Sequence, residues 1–482
     1  MAESDQRKPQ PHGLMICFPL QGHINPFVWL ALKLASKGFI ITFVHLESVH
    51  YKLAKAHAHA GDDFFSEARR SGLDIRYATM PDPFPLEFDR DLNFDYYWET
   101  MLREFPAIVD HFVSNLIRSS ESDPLQLPTF LVTDTVYSSW PLDIATKYKL
   151  LNVSFWTQPA LLFTMLYHLD LLSLHAHFPC KDNIEEEINY LPGVESINTR
   201  DLMSSLREAE SQGIVMKFLA KGFTGVKRAD FVLLNTVFEL ESQTLNALNK
   251  FQPNYAIGPI NFTKNLPTNT VRTSLRSESD CTKWLESKSP GSVLYISFGS
   301  FVQMSKQDIE EIAYALQLSQ VDFIWVVRDG VVSASADANV LPVGYESEIK
   351  ERGLIVPWCD QVMVLSNPAV GGFLTHCGWN SVIESMWCGV PMICYPLMFD
   401  QPANRKLVVE DLKIGIDIRD HGKSVDRNEA AAKINNFMSS NRLREESHKV
   451  KTTLRRAMEV DGSSEISFEN FVHDLKAKIY AI

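Results

Sequence analysis

The stretch VPWCDQVMVLSNPAVGGFLTHCGWNSVIESMWCGVPMICYPLMFDQ, Val356 to Gln401, decides how this chain is read. Inside it an apolar strand, Gly371 to Leu374, runs straight into Thr375-His376-Cys377-Gly378-Trp379-Asn380-Ser381 and then into a helical pattern. Such a junction is an anion site. The unpaired N–H groups of a first helical turn favour negative charge, Gly378 lets a ligand approach the backbone, and His376, Asn380 and Ser381 add polar side chains. Glu384, three positions after Ser381, is misplaced for a phosphate but well placed for paired ribose hydroxyls.

Outward from this junction, strands and helices alternate in both directions. Towards the N-terminus, Leu14 to Leu20 reads as a strand, Pro26 to Lys37 as an amphipathic helix and Phe39 to His45 as a second strand, which together make a βαβ unit. Thr129 to Thr133, Pro141 to Tyr148 and Asn152 to Phe155 repeat that rhythm. After a short strand, Asn254 to Ile257, the segment from Gly258 is rich in turn formers and has no period, so an interdomain linker is expected there. A second series follows: strand Ser292 to Ser297, helix Lys306 to Leu318, strand Asp322 to Val327, a polar loop Val332 to Ala338, and strand Leu354 to Val356. The quoted junction comes next, then strand Met392 to Tyr395, a helix from Ala403, and helices near Arg442 to Val460 and Ser464 to Tyr480. Alternation of this kind implies an α/β protein of two doubly wound, Rossmann-like domains facing across a cleft, with ligands beyond the carboxyl ends of the strands.

Composition narrows the function. A chain of 482 residues, 45% hydrophobic and 22% charged, is ordinary for a globular protein of two or three domains. A net charge of -13 with scattered Lys and Arg argues against nucleic acid. The apolar run Leu14 to Leu20 is too short for a secretory signal, and Phe468 to Ile482 keeps too many charges for a transmembrane anchor. Seven cysteines, an odd number without a CxxC pair, suggest reduced thiols and a cytoplasmic protein, and Cys377 and Cys388 read as small buried residues rather than zinc ligands.

The quoted segment resembles the signature box of plant family 1 UDP-glycosyltransferases: its opening Trp358, the HCGWNS core, Glu384, the GVP and the closing Asp400-Gln401 all match. The resemblance implies the GT-B arrangement, with an acceptor-binding domain over 1–257, a linker over 258–285, a UDP-sugar-binding domain over 286–462 and a C-terminal helix over 463–482 that returns to the first domain. It also implies an inverting transfer of glucose from UDP-glucose to a hydroxyl or carboxyl of a small plant metabolite or hormone. No cofactor and no metal are expected, UDP-glucose being a co-substrate, and the enzyme is expected to act as a monomer.

Residue roles follow from chemistry and from this resemblance. His23, in Pro19-Leu-Gln-Gly-His-Ile-Asn-Pro26 beyond the first strand, matches the family's GHxxP base, and Asp134 at the end of another strand matches its partner. Neutral imidazole can take the acceptor's proton, and a carboxylate can orient and offset the resulting charge. Alone, a histidine there would read as a cap or core residue; the donor box decides otherwise. On the donor side, Trp358 offers a face for uracil with Cys359 and Gln361 at the base edge, and Glu384 the ribose. The diphosphate falls to His376, Gly378, Asn380, Ser381 and Ser300, and the hexose to Asp400, Gln401, the Trp379 backbone and Thr157. For a small apolar or aromatic acceptor, Phe84, Tyr96, Tyr137, Trp140 and Phe163 are expected to form the pocket.

Some features lead elsewhere. Asp89-Arg90-Asp91 is a DxD, but it lies in the Pro- and Asp-rich stretch Pro81 to Asp95 and reads as a solvated loop. His57-Ala-His59 and His175-Ala-His177 fall in stretches that read as helix, where positions two apart point to different faces. Asp360 and Asn367 stand where the family usually has Pro and His; Asp360 is expected to cap a helix. A nucleotide-sugar-binding protein with little turnover remains an alternative, whereas a nicotinamide oxidoreductase does not, because no GxGxxG follows a strand.

Overall fold

The computed structural model describes residues 10–57, 64–90, 93–119, 127–137, 139–181, 185–207, 213–264, 266, 271, 273–332 and 340–481. Asp91, His59 and most of the polar loop 332–338 lie outside them. Strands β1 (His12–Ile16), β2 (Ile40–Leu46), β3 (Ile75–Met80), β4 (Phe130–Asp134) and β5 (Leu151–Trp156) belong to one sheet. A small antiparallel hairpin follows, β6 (Glu187–Ile188) with β7 (Ile197–Asn198), before β8 (Phe231–Leu234) and β9 (Asn254–Ala256) complete that sheet in the order β3-β2-β1-β4-β5-β8-β9. All its pairings are parallel, with Leu14 opposite Thr42 on one side and Leu131 on the other. A second parallel sheet, β12-β11-β10-β13-β14-β15, is built from β10 (Val293–Ser297), β11 (Asp322–Val326), β12 (Gly353–Val356), β13 (Val370–Thr375), β14 (Met392–Cys394) and β15 (Gly415–Asp417).

Sequence dictates why these strands are parallel and central. HGLMI, IITFVHL and VGGFLT are buried at every position, as strands covered by helices on both faces must be. In each sheet the strand order reverses beside the first strand, between β1 and β4 and between β10 and β13. Loops leaving strands at such a switch point diverge and open a crevice. Residues following β1 and β4 therefore meet in one crevice, and those following β10 and β13 in another.

The first helix differs from the expectation. It spans Gln21–Ser36, so His23 stands in its first turn rather than in a loop, and Pro26 lies inside the helix rather than at its start. Proline has no N–H to give the carbonyl four residues back, Gly22. That carbonyl instead accepts a hydrogen bond from Asn380 Nδ2 of the other domain at 2.5 Å. The resulting contact joins the start of one domain's first helix to the junction of the other. Trp379 Nε1 donates to the Asn235 carbonyl at 2.8 Å, a second bridge.

The final helix, Ser463–Ala481, packs on the first sheet. Glu465 meets the buried Lys33 at 2.6 Å, Asp474 accepts from Tyr255 Oη at 2.7 Å, and Phe471 lies edge-on to Phe231 with centroids 5.5 Å apart. Among the described residues no helix is long and apolar enough to cross a membrane, and all seven cysteines are free. His175 and His177 are not helical: the helix Leu169–Leu174 ends before them, and Ala176 has φ 60°. His175 stacks on Tyr190 at 3.9 Å and His177 is bonded to Tyr190 and Glu186. No cluster of His, Cys, Asp and Glu among the described residues could hold a metal ion.

Candidate active site

A cleft of about 1090 Å³ lies between the two sheets, walled by the loops after β1 and β5 on one side and after β10, β13 and β14 on the other. From the first domain come His23 and Thr157, and behind them Asp134, only 1% exposed at the end of β4. His23 Nδ1 is 2.6 Å from Asp134 Oδ2 and 3.2 Å from Thr157 Oγ1. Asp134 Oδ1 accepts from the Val136 N–H at 3.1 Å, which fixes the carboxylate's plane. The Phe18 ring lies edge-on to the imidazole with centroids 5.5 Å apart. A carboxylate can only accept, so Nδ1 carries the proton and Nε2 keeps its lone pair. Such an imidazole can take a proton.

The second domain supplies the helix Trp379–Cys388, whose N-cap is Gly378 and which has no side-chain cap. Gly378 has no side chain with which to cap, the first-turn residues Trp379, Asn380 and Ser381 line the cleft, and the Asp400 carboxylate accepts from the Trp379 N–H. Cys377 is turned at φ 67° to make the corner, and Asn404 Nδ2 ties down its carbonyl at 2.9 Å. His376 is buried against two glycines: a Cβ at Gly299 or at Gly378 would lie 2.5 Å from its Nε2, and Gly299 has φ 75°. Burial, followed by the charge of Arg328, lowers the His376 pKa to about 4, so at neutral pH it is an uncharged donor rather than a cation. Arg328 holds the loop after β10 by donating to the carbonyls of Gly299, at 2.9 Å, and of Val302. Ser300 is carried between those two anchors and lines the cleft.

Around the other end of the junction, Gln361 Nε2 donates to Ser381 Oγ at 3.0 Å and to Glu384 Oε2 at 2.7 Å. Burial pushes the Glu384 carboxyl up to about 7, against the lowering effect of Gln361. Trp358 Nε1 donates to Ser274 Oγ at 3.0 Å, and Arg276 lies over its ring 5.7 Å from the centroid. Asp360 caps the helix Gln361–Ser366 by accepting from the Met363 N–H at 2.9 Å, as the sequence suggested, and Asn367 Oδ1 accepts from the Ala369 N–H. Cys359 is buried beside Tyr295 Oη. Gln401 Oε1 accepts from the Leu397 and Met398 N–H groups at 2.8 and 3.0 Å, which leaves only its NH2 group for a ligand. Asp400, held by Asn404 at 2.6 Å and raised above the usual carboxylate range by burial, offers the complementary acceptor.

Trp358, Cys359, Gln361, His376, Gly378, Trp379, Asn380, Ser381, Glu384, Asp400, Gln401, Ser300 and Thr157 all line this one cleft. The expected acceptor aromatics do not. Tyr137 turns into the core, with its hydroxyl on the Cys17 carbonyl at 2.8 Å and its ring against Phe105 and Trp140. Phe163 packs on Trp156 and Phe223, Phe84 stacks on Phe88 and Tyr97, and Tyr96 is 56% exposed. The apolar wall near His23 is formed instead by Phe18, Trp98, Val136, Met203, Val215 and Leu219. Phe18 could have been found, since it follows β1 directly on the way to His23; Met203 and Leu219 carry no local signal.

Two doubly wound sheets with their switch points turned towards each other make the GT-B fold of glycosyltransferases. Residues 268–416 match the family described as "UDP-glucoronosyl and UDP-glucosyl transferase". UDP-glycosyltransferase 86A1 of Arabidopsis thaliana is 47% identical over 99% of this chain and 97% of its own length. A 7-deoxyloganetin glucosyltransferase of Catharanthus roseus is 31% identical over 99% of both chains. The crystal structure of Os79 from O. sativa in complex with UDP superimposes with a TM-score of 0.81, covering 96% of this chain and 100% of that one at 24% identity, an agreement of fold. The chain belongs to the UDP-glycosyltransferase family.

Proposed function

We propose that this protein transfers glucose from UDP-glucose to a hydroxyl or carboxyl group of a small apolar or aromatic metabolite, with inversion at the anomeric carbon. The observation that carries the reading is the His23–Asp134 pair at one switch point, in the same cleft as the start of the helix Trp379–Cys388 at the other. In this reading residues 1–257 receive the acceptor, 258–285 link the domains, 286–462 hold the donor and 463–482 return to the first domain. The relative named a glucosyltransferase and the rice protein solved with UDP support the choice of donor.

The acceptor O–H gives its proton to His23 Nε2 while its oxygen bonds to the anomeric carbon. On the opposite face the bond from that carbon to the β-phosphate oxygen breaks, and the electron pair leaves with UDP. Asp134 offsets the imidazolium that forms. Growing charge on the diphosphate meets the first-turn N–H groups, His376 and Ser300; fixed donors of this kind are worth roughly 3 kcal/mol each, so a few suffice without a metal. Asp400 accepts from hexose hydroxyls and Gln401 donates to them. The apolar wall beside His23 excludes water and takes the acceptor's carbon skeleton. Free cysteines support a cytoplasmic site of action.

Incubation with UDP-glucose and a panel of plant phenols, alcohols and acids, followed by NMR of the products, tests the reading. A β-glucoside with stoichiometric UDP is expected; an α-linked product, or no sugar transfer to any acceptor, would contradict it.

Glu384 couples nucleotide binding to pH. Ribose hydroxyls donate to the ionised carboxylate, whereas the unliganded group titrates at about 7. UDP binding should therefore release a proton below pH 7, and UDP affinity should fall roughly tenfold per pH unit below that point. Calorimetry in buffers of different ionisation enthalpy measures the release. Glu384→Gln should abolish it, and proton uptake instead of release would show that the carboxyl does not meet the ribose.

A further inference from the structure

The first domain reaches across the cleft at one more place, the short turns Thr199–Asp201 and Ser204–Leu206. Met203 lines the cleft there, and the next residue, Ser204, makes two hydrogen bonds to a single residue of the second domain. The Ser204 N–H donates to the Phe399 carbonyl at 3.1 Å, and the Phe399 N–H donates to Ser204 Oγ at 2.9 Å. Ser204 is 7% exposed, so neither bond competes freely with water. Phe399 needs such a hold. Its φ of 57° is the left-handed region, which a residue with a Cβ avoids unless its surroundings fix it.

Phe399 immediately precedes Asp400 and Gln401. On their other side Arg405, on the helix Gln401–Lys406 that begins with Gln401, meets Asp201 at 3.2 Å and is also bound to Asp417. The turn that carries Asp400 and Gln401 is thus held from the first domain at two points, one before it and one after it. Its direction depends on a backbone conformation that Phe399 would not keep alone.

We propose that Ser204 is a positioning residue for sugar selection: by clamping the Phe399 backbone it aims Asp400 and Gln401 at the hexose. The inference rests on the function proposed above. It also ties the two substrates together, because the same turn places Met203 in the acceptor wall and steadies the donor's sugar end. UDP, which has no hexose, is the internal control.

The experiment compares wild type, Ser204→Ala and Ser204→Thr, using kcat/KM for UDP-glucose and UDP-galactose and calorimetric Kd for both sugars and for UDP. Ser204→Ala should lower the preference for UDP-glucose over UDP-galactose about tenfold, with the UDP Kd unchanged within about twofold, and Ser204→Thr should restore the preference. Glycine adopts a positive φ freely, so in a Phe399→Gly background Ser204→Ala should change the preference by less than about twofold. An unchanged preference in Ser204→Ala, an equal loss of UDP and UDP-glucose binding, or the same effect in both backgrounds would overturn the proposal. Absence of transfer by the wild type would overturn the functional reading instead, while the Kd values would still decide the role of Ser204.

Discussion

His23→Ala is expected to lower kcat for glucosyl transfer by about a thousandfold, the middle of the range for loss of a positioned general base, and to leave the UDP Kd within about twofold of wild type. The separation follows from topology. His23 stands at the switch point of the first sheet, whereas the groups expected to hold the nucleotide follow β10, β12 and β13 of the second. The imidazole is also half of a 2.6 Å contact with a buried carboxylate, so its removal takes the His23 donor from Asp134 Oδ2 while Oδ1 keeps the Val136 N–H. Some loss of stability should accompany the mutation, on the order of 1–3 kcal/mol for a buried acceptor left unmatched. Initial rates with saturating UDP-glucose, beside UDP titration calorimetry, separate the two effects. Equal loss of both would make His23 a structural residue.

Asp134→Asn should cost nearly as much, again about a thousandfold in kcat, although the side chain keeps its shape. The reason lies in the second oxygen. Asp134 Oδ1 accepts from the Val136 N–H at 3.1 Å, and in the variant the amide oxygen stays with that donor. The amide NH2 is then turned towards His23 Nδ1, which must accept rather than donate. The proton moves to Nε2, and the nitrogen facing the acceptor can no longer take one. Melting temperature and UDP affinity should change little. The NMR signature of the histidine ring reports the tautomer directly, and a variant with full activity and an unchanged tautomer would remove Asp134 from the mechanism.

Much of this site could be read from the chain because its chemistry is local. In Thr375 to Ser381 the turn, the helix start and the polar side chains are contiguous, so the proposed anion site shows within one short stretch. The doubly wound class was legible for the same reason: VGGFLT and IITFVHL are apolar at nearly every position, as strands covered on both faces are. Elements without such a pattern escaped. The edge strand β3 includes Arg76 and has only its two ends buried, and β15, Gly415–Asp417, is too short to show any period. Pro26 misplaced the first helix, because proline favours a first turn and here stands in the helix interior. The gain from that irregularity is the free Gly22 carbonyl, which Asn380 occupies.

Apart from Phe18, which follows β1, the apolar wall beside His23 was not legible. Aromatic type marks a side chain as buried, but not the face on which it is buried, and Tyr137 and Phe163 turn into the core of the same domain whose surface was sought. Trp98 and Leu219 reach the cleft from helices far from the strand ends, on which position along the chain gives no information. The interdomain bonds of Asn380, Trp379 and Ser204 are hidden in the same way, each joining residues more than a hundred positions apart.

A crystal structure of the protein with UDP bound would show where the diphosphate lies. The β-phosphate is expected at the start of the helix Trp379–Cys388, within about 2.7–3.2 Å of its first-turn N–H groups and of His376, with the ribose on Glu384 and the cleft towards His23 open for the hexose. A nucleotide lodged elsewhere in the cleft, or one whose phosphates turn away from that helix, would contradict this placement.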